Sequence, residues 1–479
     1  MYRFFFFFII LFSSFTMAQN QSGLIQSEIA KGSFSKATEL IDAQLVNPSV
    51  SELEKYNLAF EKERIRRIRL DFTKTEAEIK SALAKYYPNL TDQMLQNWIT
   101  EKSLEMMTID GEKKFFNRAA ANLFRINKEA KLLKQKVDGV ELDKKDEFLK
   151  FHLPAVLQDA SQLNSNLVQP VKKHIIYTLS VDANSVPEGE IVRCWLPFPK
   201  TMNRQNEIKL IKTNIPLCII SDETYFHKSV YMEKKAQLNK TTDFIVEYEY
   251  TSSAHFNSLD FNKLYSVDKN SDAYKLFTGE RTQHILFSDE IKDFSKKIVG
   301  NEKNPVKIAK LIFEWIDSNI PWASAREYST IPNIPVYCIE NKHGDCGIQT
   351  LLFMTLCRYN GIPAKWQSGW MTHPGEVNLH DWCQIYFDQT GWIPVDQSFG
   401  LQLSQDPAIK YFFLGSIDSY RLVANEDFSQ DFFPAKIFPR SETVDFQRGE
   451  VEWRGGNLYF DKWDYNMEIE YVTESAEEK

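Results

Sequence analysis

The chain has 479 residues, 43% of them hydrophobic and 14% aromatic; this is ample material for packed cores but too long for one, so wholesale disorder is excluded and two or three domains are expected. A formal net charge of −8 and a pI near 5.7 lack the basic excess that nucleic-acid phosphates or anionic lipid would require, so neither partner is expected.

Met1-Tyr2-Arg3 lead into an apolar run from Phe4 to Phe12, followed by small and polar residues ending at Thr16-Met17-Ala18. This is the build of a signal peptide over residues 1–18, with cleavage before Gln19 and a secreted or periplasmic mature chain. The run is shorter than the roughly 20 residues a spanning helix needs, and no later stretch reaches that length, so no integral membrane segment is expected after cleavage. The six cysteines are too few for a disulfide-stapled scaffold; most are expected to be buried thiols, and no pairing is assigned.

Residues 20–165 read as a helical accessory region. Thr75 and Glu78 form a capping box ahead of Ile79 and Leu83, and Thr91 precedes Leu95, Trp98 and Ile99 at the spacing of a buried helix face. From about 170 the period changes to alternation, as in His174 to Val181 and in Phe244, Val246, Tyr248 and Tyr250, so residues 170–255 read as an antiparallel β-domain, a sandwich. A third region, 262–475, opens on a helix with Asn304 as cap, Pro305 at its first position, and Ile308, Leu311, Ile312, Trp315 and Ile316 on one face. Near its end, Gly455-Gly456 separate two short β-like runs, which predicts a hairpin.

Chemistry concentrates in Gly344-Asp345-Cys346-Gly347, which continues as an almost wholly apolar helix to Asn360 and stops at Gly361-Ile362-Pro363. A cysteine at a helix start meets unpaired backbone N–H groups and the positive end of the dipole, which favour the thiolate and can bind an oxyanion. Asp345 opposes this and is expected to turn away and cap the helix. A base is needed, and His380 opens the strand His380 to Phe387, which would turn His380, Trp382, Gln384 and Tyr386 to one face. A second strand, Trp392 to Asp396, suggests a hairpin. With a four-residue turn Asp396 opposes Cys383 and faces away from His380; a three- or five-residue connection, or a bulge at Gly391, brings it opposite Trp382 and within reach of His380. His373, beside Pro374 and Gly375, reads as a loop residue, with the loop Met371 to Leu379 contributing to the cleft wall. The spacings of Cys338, His343, Cys346, His373 and His380 fit no close metal-ligand pair.

Gly344-Asp345-Cys346, Gly361-Ile362-Pro363-Ala364, His380-Asp381-Trp382, and Gly391-Trp392 with Asp396 resemble, in order, the four motifs of the transglutaminase-like superfamily, which shares a papain-like Cys-His-Asp arrangement. The separations of 34 and 16 residues from Cys346 to His380 and from His380 to Asp396 suit that family, and the resemblance covers about residues 300 to 400. It implies an α+β multidomain protein: an N-terminal helical region, a middle antiparallel β-domain and a C-terminal transglutaminase-like α+β domain with a β extension. It also implies Cys346 as nucleophile, His380 as base and Asp396 as the residue orienting the base. The implied reaction is acyl transfer on a peptide, protein or peptidoglycan-like amide without a metal or organic cofactor: hydrolysis first, crosslinking or a non-catalytic scaffold as alternatives. Asp381 between His and Trp departs from the usual pattern and is expected on the opposite face of the strand. For a second oxyanion donor, Trp322 and Tyr337 are both candidates.

Overall fold

In the computed structural model, residues 22–140 and 142–472 are described, so the expected signal peptide lies outside the described residues. The described residues divide into two compact units, 22–140 with 329–331, and 142–328 with 332–472.

The first unit contains α1 (residues 22–30), α2 (Phe34–Leu45), α3 (Glu52–Asp71), α4 (Glu76–Leu83), α5 (Asp92–Thr100), α6 (Ala119–Ile126) and α7 (Lys128–Asp138). Thr75 caps α4 by accepting from Glu78 N–H while the Glu78 carboxylate accepts the Thr75 N–H at 2.8 Å, and Thr91 caps α5. The apolar faces meet in a core that includes Phe34, Ile41, Ile65, Ile68 and Leu123. A hairpin, β1 (Met106–Ile109) and β2 (Glu112–Phe115), interrupts the helices where only helix was expected. Its two-residue turn is Asp110-Gly111, both at positive φ, the turn geometry that the right-handed twist of paired strands favours.

The second unit begins with α8 (Lys144–Leu163), whose partner is the first strand of the β-region. The helical stretch expected to run unbroken to 165 is thus divided near residue 140, where Gly139 at φ +89 ends α7. The middle strands are β3 (Leu167–Val181), β4 (Ile191–Pro197), β5 (Gln205–Thr213), β6 (Cys218–Ile220), β7 (Ser229–Lys235) and β8 (Thr242–His255). Then come α9 (Asp272–Phe277), α10 (Asp289–Val299), α11 (Pro305–Asn319), α12 (Ile334–Asn341), α13 (Cys346–Tyr359), β9 (Ala364–His373), β10 (Glu376–Phe387) and β11 (Gly391–Val395). The chain closes with α14 (Pro407–Lys410), β12 (Arg421–Asn425), β13 (Glu450–Trp453), β14 (Gly456–Leu458) and β15 (Trp463–Val472).

Two sheets make the sandwich, one in the order β15-β3-β8-β5 and the other β14-β13-β4-β7-β6. Alternate residues Ile175, Tyr177 and Leu179 from the first meet Val192, Cys194, Val230 and Met232 from the second in one core. The sandwich is not confined to 170–255: β13, β14 and β15, expected as an extension of the C-terminal domain, complete both of its sheets. A third sheet, β11-β10-β9-β12, carries α13 against β9 and β10. Asn304 stands at the cap position of α11, but its side chain is drawn off to Lys263 O (2.7 Å) and Tyr265 N (3.3 Å). All six cysteines are free. Among the described residues no helix is long and apolar enough to cross a membrane.

Candidate active site

Helix α13 starts as its sequence dictates. Asp345 caps it, accepting the Ile348 N–H at 3.1 Å, and Cys346 is the first helical residue. Gly347 is required next: a Cβ there would stand 2.2 Å from Tyr328 Oη and 2.7 Å from Asp381 Oδ2. At the far end Gly361 adopts φ +77 and stops the helix.

The β10–β11 hairpin takes the connection that serves His380. Phe387 opposes Gly391 and Cys383 opposes Val395, so the loop has three residues, Asp388 to Thr390, with Gly391 at φ +71. Asp396 follows Val395 and, with the register continued by one, lies level with Trp382 on the His380 face. His380 Nε2 is 2.7 Å from Asp396 Oδ2, and both side chains are buried. Asp396 Oδ1 accepts the Phe399 N–H at 3.2 Å, and Phe399 packs on the imidazole with ring centroids 5.0 Å apart.

A buried cation joins this pair. Arg421 Nη1 approaches Asp396 Oδ2 at 2.9 Å, off the line of a hydrogen bond, so the contact is Coulombic, while its Nη2 donates to Asp418 Oδ2 at 2.8 Å. Asp418 Oδ1 in turn lies 3.1 Å from His373 Nε2. Burial works to raise the Asp396 carboxyl, but His380 and Arg421 outweigh it and hold it below the usual range. Burial pulls the His380 imidazole down, opposed by Asp396. His373 corrects the expectation of a loop residue. It ends β9, fully buried, because Pro374-Gly375 makes a two-residue turn and Met371 to Leu379 form a β-hairpin, not a loop wall.

Cys346 meets the sheet on the other side of β10. Its Sγ lies 3.4 Å from Asp381 Oδ2, on the residue directly after His380. Tyr328 Oη donates to Asp345 Oδ1 at 2.7 Å and stands 3.4 Å from Asp381 Oδ2. Gln447 Nε2 donates to Asp381 Oδ1 at 2.6 Å and to His380 O at 2.9 Å. Burial, then the charges of Asp381 and Asp345, push the Cys346 thiol well above its ordinary range. The residue is only half-buried, which tempers the first cause and leaves the sulfur reachable.

Of the two oxyanion candidates, Trp322 bridges to Gly344, two residues before Cys346, and is 41% exposed, and Tyr337 is buried edge-on to His343; the Tyr328 hydroxyl also reaches the start of α13, through Asp345. Strand alternation already turned Asp381 away from His380; the missing step was that α13 covers that other face. Arg421 and Gln447 lie far along the chain and carry no local signal.

Residues 292–397 match the sequence model of the transglutaminase-like superfamily. That segment belongs to the superfamily. The uncharacterized protein YebA of Bacillus subtilis (strain 168) is 23% identical over 172 residues, 32% of this chain and 23% of YebA, so the similarity spans about a quarter of that relative. Among solved structures, a candidate cysteine protease from Cytophaga hutchinsonii is similar with a TM-score of 0.44 and 15% identity, over 65% of this chain and 94% of that one. The periplasmic domain of TgpA from Pseudomonas aeruginosa is similar with a TM-score of 0.26 and 10% identity, over 51% of this chain and 96% of that one. The transglutaminase-like segment thus holds Tyr328, Cys346, His380 and Asp396, whereas Arg421 and Gln447 lie beyond it.

Proposed function

We propose that this chain is an exported thiol acyl-transfer enzyme that hydrolyses amide or peptide bonds, with Cys346 as nucleophile, His380 as base and Asp396 holding the imidazole. The observation that carries it is the 2.7 Å contact of His380 Nε2 with Asp396, in a hairpin whose unusual register brings the two together. A carboxylate kept ionised only accepts hydrogen bonds, so Nε2 carries the proton and Nδ1 keeps the lone pair. Cys346 meets β10 on the Asp381 face, so this reading requires the His380 ring to reach the sulfur at the start of α13; Nδ1 then takes the Cys346 proton as sulfur attacks the amide carbonyl and gives it to the leaving amine. The acyl-enzyme is cleared when water attacks it, its proton passing through the same nitrogen. The Cys346 and Gly347 amides lie beside the sulfur and suit the developing oxyanion; Asp345 has taken the Ile348 N–H. Export rests on the charged start, short apolar run and Ala18 of the N-terminus.

The test is turnover of peptide amides, peptidoglycan fragments and a glutamine-bearing protein supplied with a labelled primary amine. Release of free amine without incorporation of the label is expected, falling at least ~1000-fold in Cys346→Ala and His380→Ala. Incorporation of the label would make the chain a crosslinking enzyme, and equal rates in wild type and Cys346→Ala would sink catalysis at this thiol.

A further inference from the structure

Resting on the acyl-transfer reading, we propose that Asp381 is a further catalytic residue: a neutral carboxylic acid whose Oδ2–H donates a hydrogen bond to the Cys346 sulfur as the thiol gives up its proton. The thiol proton goes to His380 Nδ1, while Asp381 keeps its own throughout, so the step moves one proton and leaves the carboxyl unchanged.

The hydrogen-bond pattern fixes which oxygen is which. Gln447 spends its two amide hydrogens on His380 O and Asp381 Oδ1, so Oδ1 is an acceptor and a proton on this carboxyl belongs on Oδ2. Oδ2 faces two groups, each at 3.4 Å. One is Cys346 Sγ, whose thiol donates to Oδ2 as it stands and which as a thiolate can only accept. The other is Tyr328 Oη, whose single hydrogen is given to Asp345 at 2.7 Å. An ionised carboxylate would therefore set like charge against the thiolate, whereas a neutral acid supplies the thiolate with a donor.

The surroundings favour the neutral acid. Asp381 is 2% exposed, and the carboxyl groups of Asp345, Glu442 and Asp445 press on it from the start of α13 and from the loop before β13. The neighbouring cation Arg448 is taken up by Glu327 at 2.9 Å and Glu442 at 3.3 Å, and Arg440 lies toward Glu450. Burial first, then Asp445 and Asp345, hold the Asp381 carboxyl well above the usual range. A carboxylic acid kept protonated by its site is a proven hydrogen-bond donor in catalysis. Asp345, which opposes a thiolate on a simple charge count, thereby also helps to keep its donor protonated.

The substitutions D381N and D381A separate the possibilities. D381N offers Gln447 the same oxygen and the sulfur an N–H, and it cannot ionise; D381A offers neither. Two readouts are taken from pH 5 to 9 in wild type and both variants: alkylation of Cys346 by iodoacetamide, resolved by peptide mass spectrometry from the other five cysteines, and turnover. D381N is expected within about threefold of wild type and to lose any decline at high pH that comes from Asp381 ionising. D381A is expected to alkylate at least about tenfold more slowly at pH 7, the worth of a hydrogen bond to a charged group. D381N as slow as D381A would mean the carboxylate itself is needed, and both faster than wild type would mean its charge restrains the sulfur; either overturns the proposal. Absence of turnover in wild type overturns the acyl-transfer reading instead, because the order of alkylation rates is read without a substrate.

Discussion

Arg421 stands between two buried carboxylates, and neither has an equivalent way of reaching solvent. Its guanidinium contacts Asp396 and Asp418 with no exposure, beneath Phe399, whose ring it faces at 4.1 Å. Removing one partner of a buried charge set costs far more than the set contributes, because the remaining charge is stranded. Arg421→Met is therefore expected to destabilise the fold by about 3–5 kcal/mol in urea denaturation. It is also expected to raise the pH at which His380 titrates, since Arg421 is a cause of its lowering; Arg421→Lys should restore part of both. An unchanged His380 titration, followed by NMR, would leave Arg421 with a structural role alone.

At the scale of elements, the β10–β11 hairpin decides whether the site exists. Its three-residue loop depends on Gly391 at φ +71, a conformation that costs a side chain with a Cβ roughly 1–2 kcal/mol. Gly391→Val is expected to lower stability by about that amount and turnover by more than the stability loss explains, as Asp396 is drawn off the His380 face; kinetics and denaturation of the same sample check it. Much at this scale was legible from the chain. The caps at Thr75, Thr91 and Asp345, the helix from Cys346, and the need for an irregular hairpin all follow from local rules that tertiary structure did not overturn. The Asp110-Gly111 turn is equally local, but the helical period on either side of it masks the signal. Other features were out of reach. Asn304 loses its capping bond to Lys263 and Tyr265, about 40 residues earlier, and Asp381 gains its meaning from a helix packing on a face that alternation alone leaves undefined.

Across the whole molecule, histidine burial ties stability to pH. His284 and His343 are buried and His255 half-buried, each neutral and pulled down to about 4 by burial, with the nearby charge of Arg204 adding to it at His255. A folded pKa below the unfolded value of about 6.5 gives stability that is present above pH 6.5 and lost as pH falls toward 4. Glu442, Asp345 and Asp445 act in the opposite sense: raised to about 8, 6 and 6, chiefly by burial, they contribute below about pH 4 and lose it as pH rises through those values. The two classes overlap, so the histidine part is read as a difference. His284→Gln is expected to lose roughly 2 kcal/mol less than wild type between pH 6.5 and 4.5 in urea titrations at matched pH. Parallel curves for the two proteins would show that His284 takes up its proton in the folded state.

The last strands of the chain bear on how such a protein can be cut. A fragment trimmed to the recognisable 292–397 segment would retain the cysteine, the imidazole and the carboxylate, yet forfeit Arg421, Gln447 and every strand of the sandwich. Synthesis passes Cys346, His380 and Asp396 before it reaches Arg421 and Gln447, the side chains that hold Asp396 and the His380 backbone. A chain that stops short of Val472 therefore leaves β3 without part of its partner strand while keeping all three of these side chains, so the loss is one of support and not of reagents.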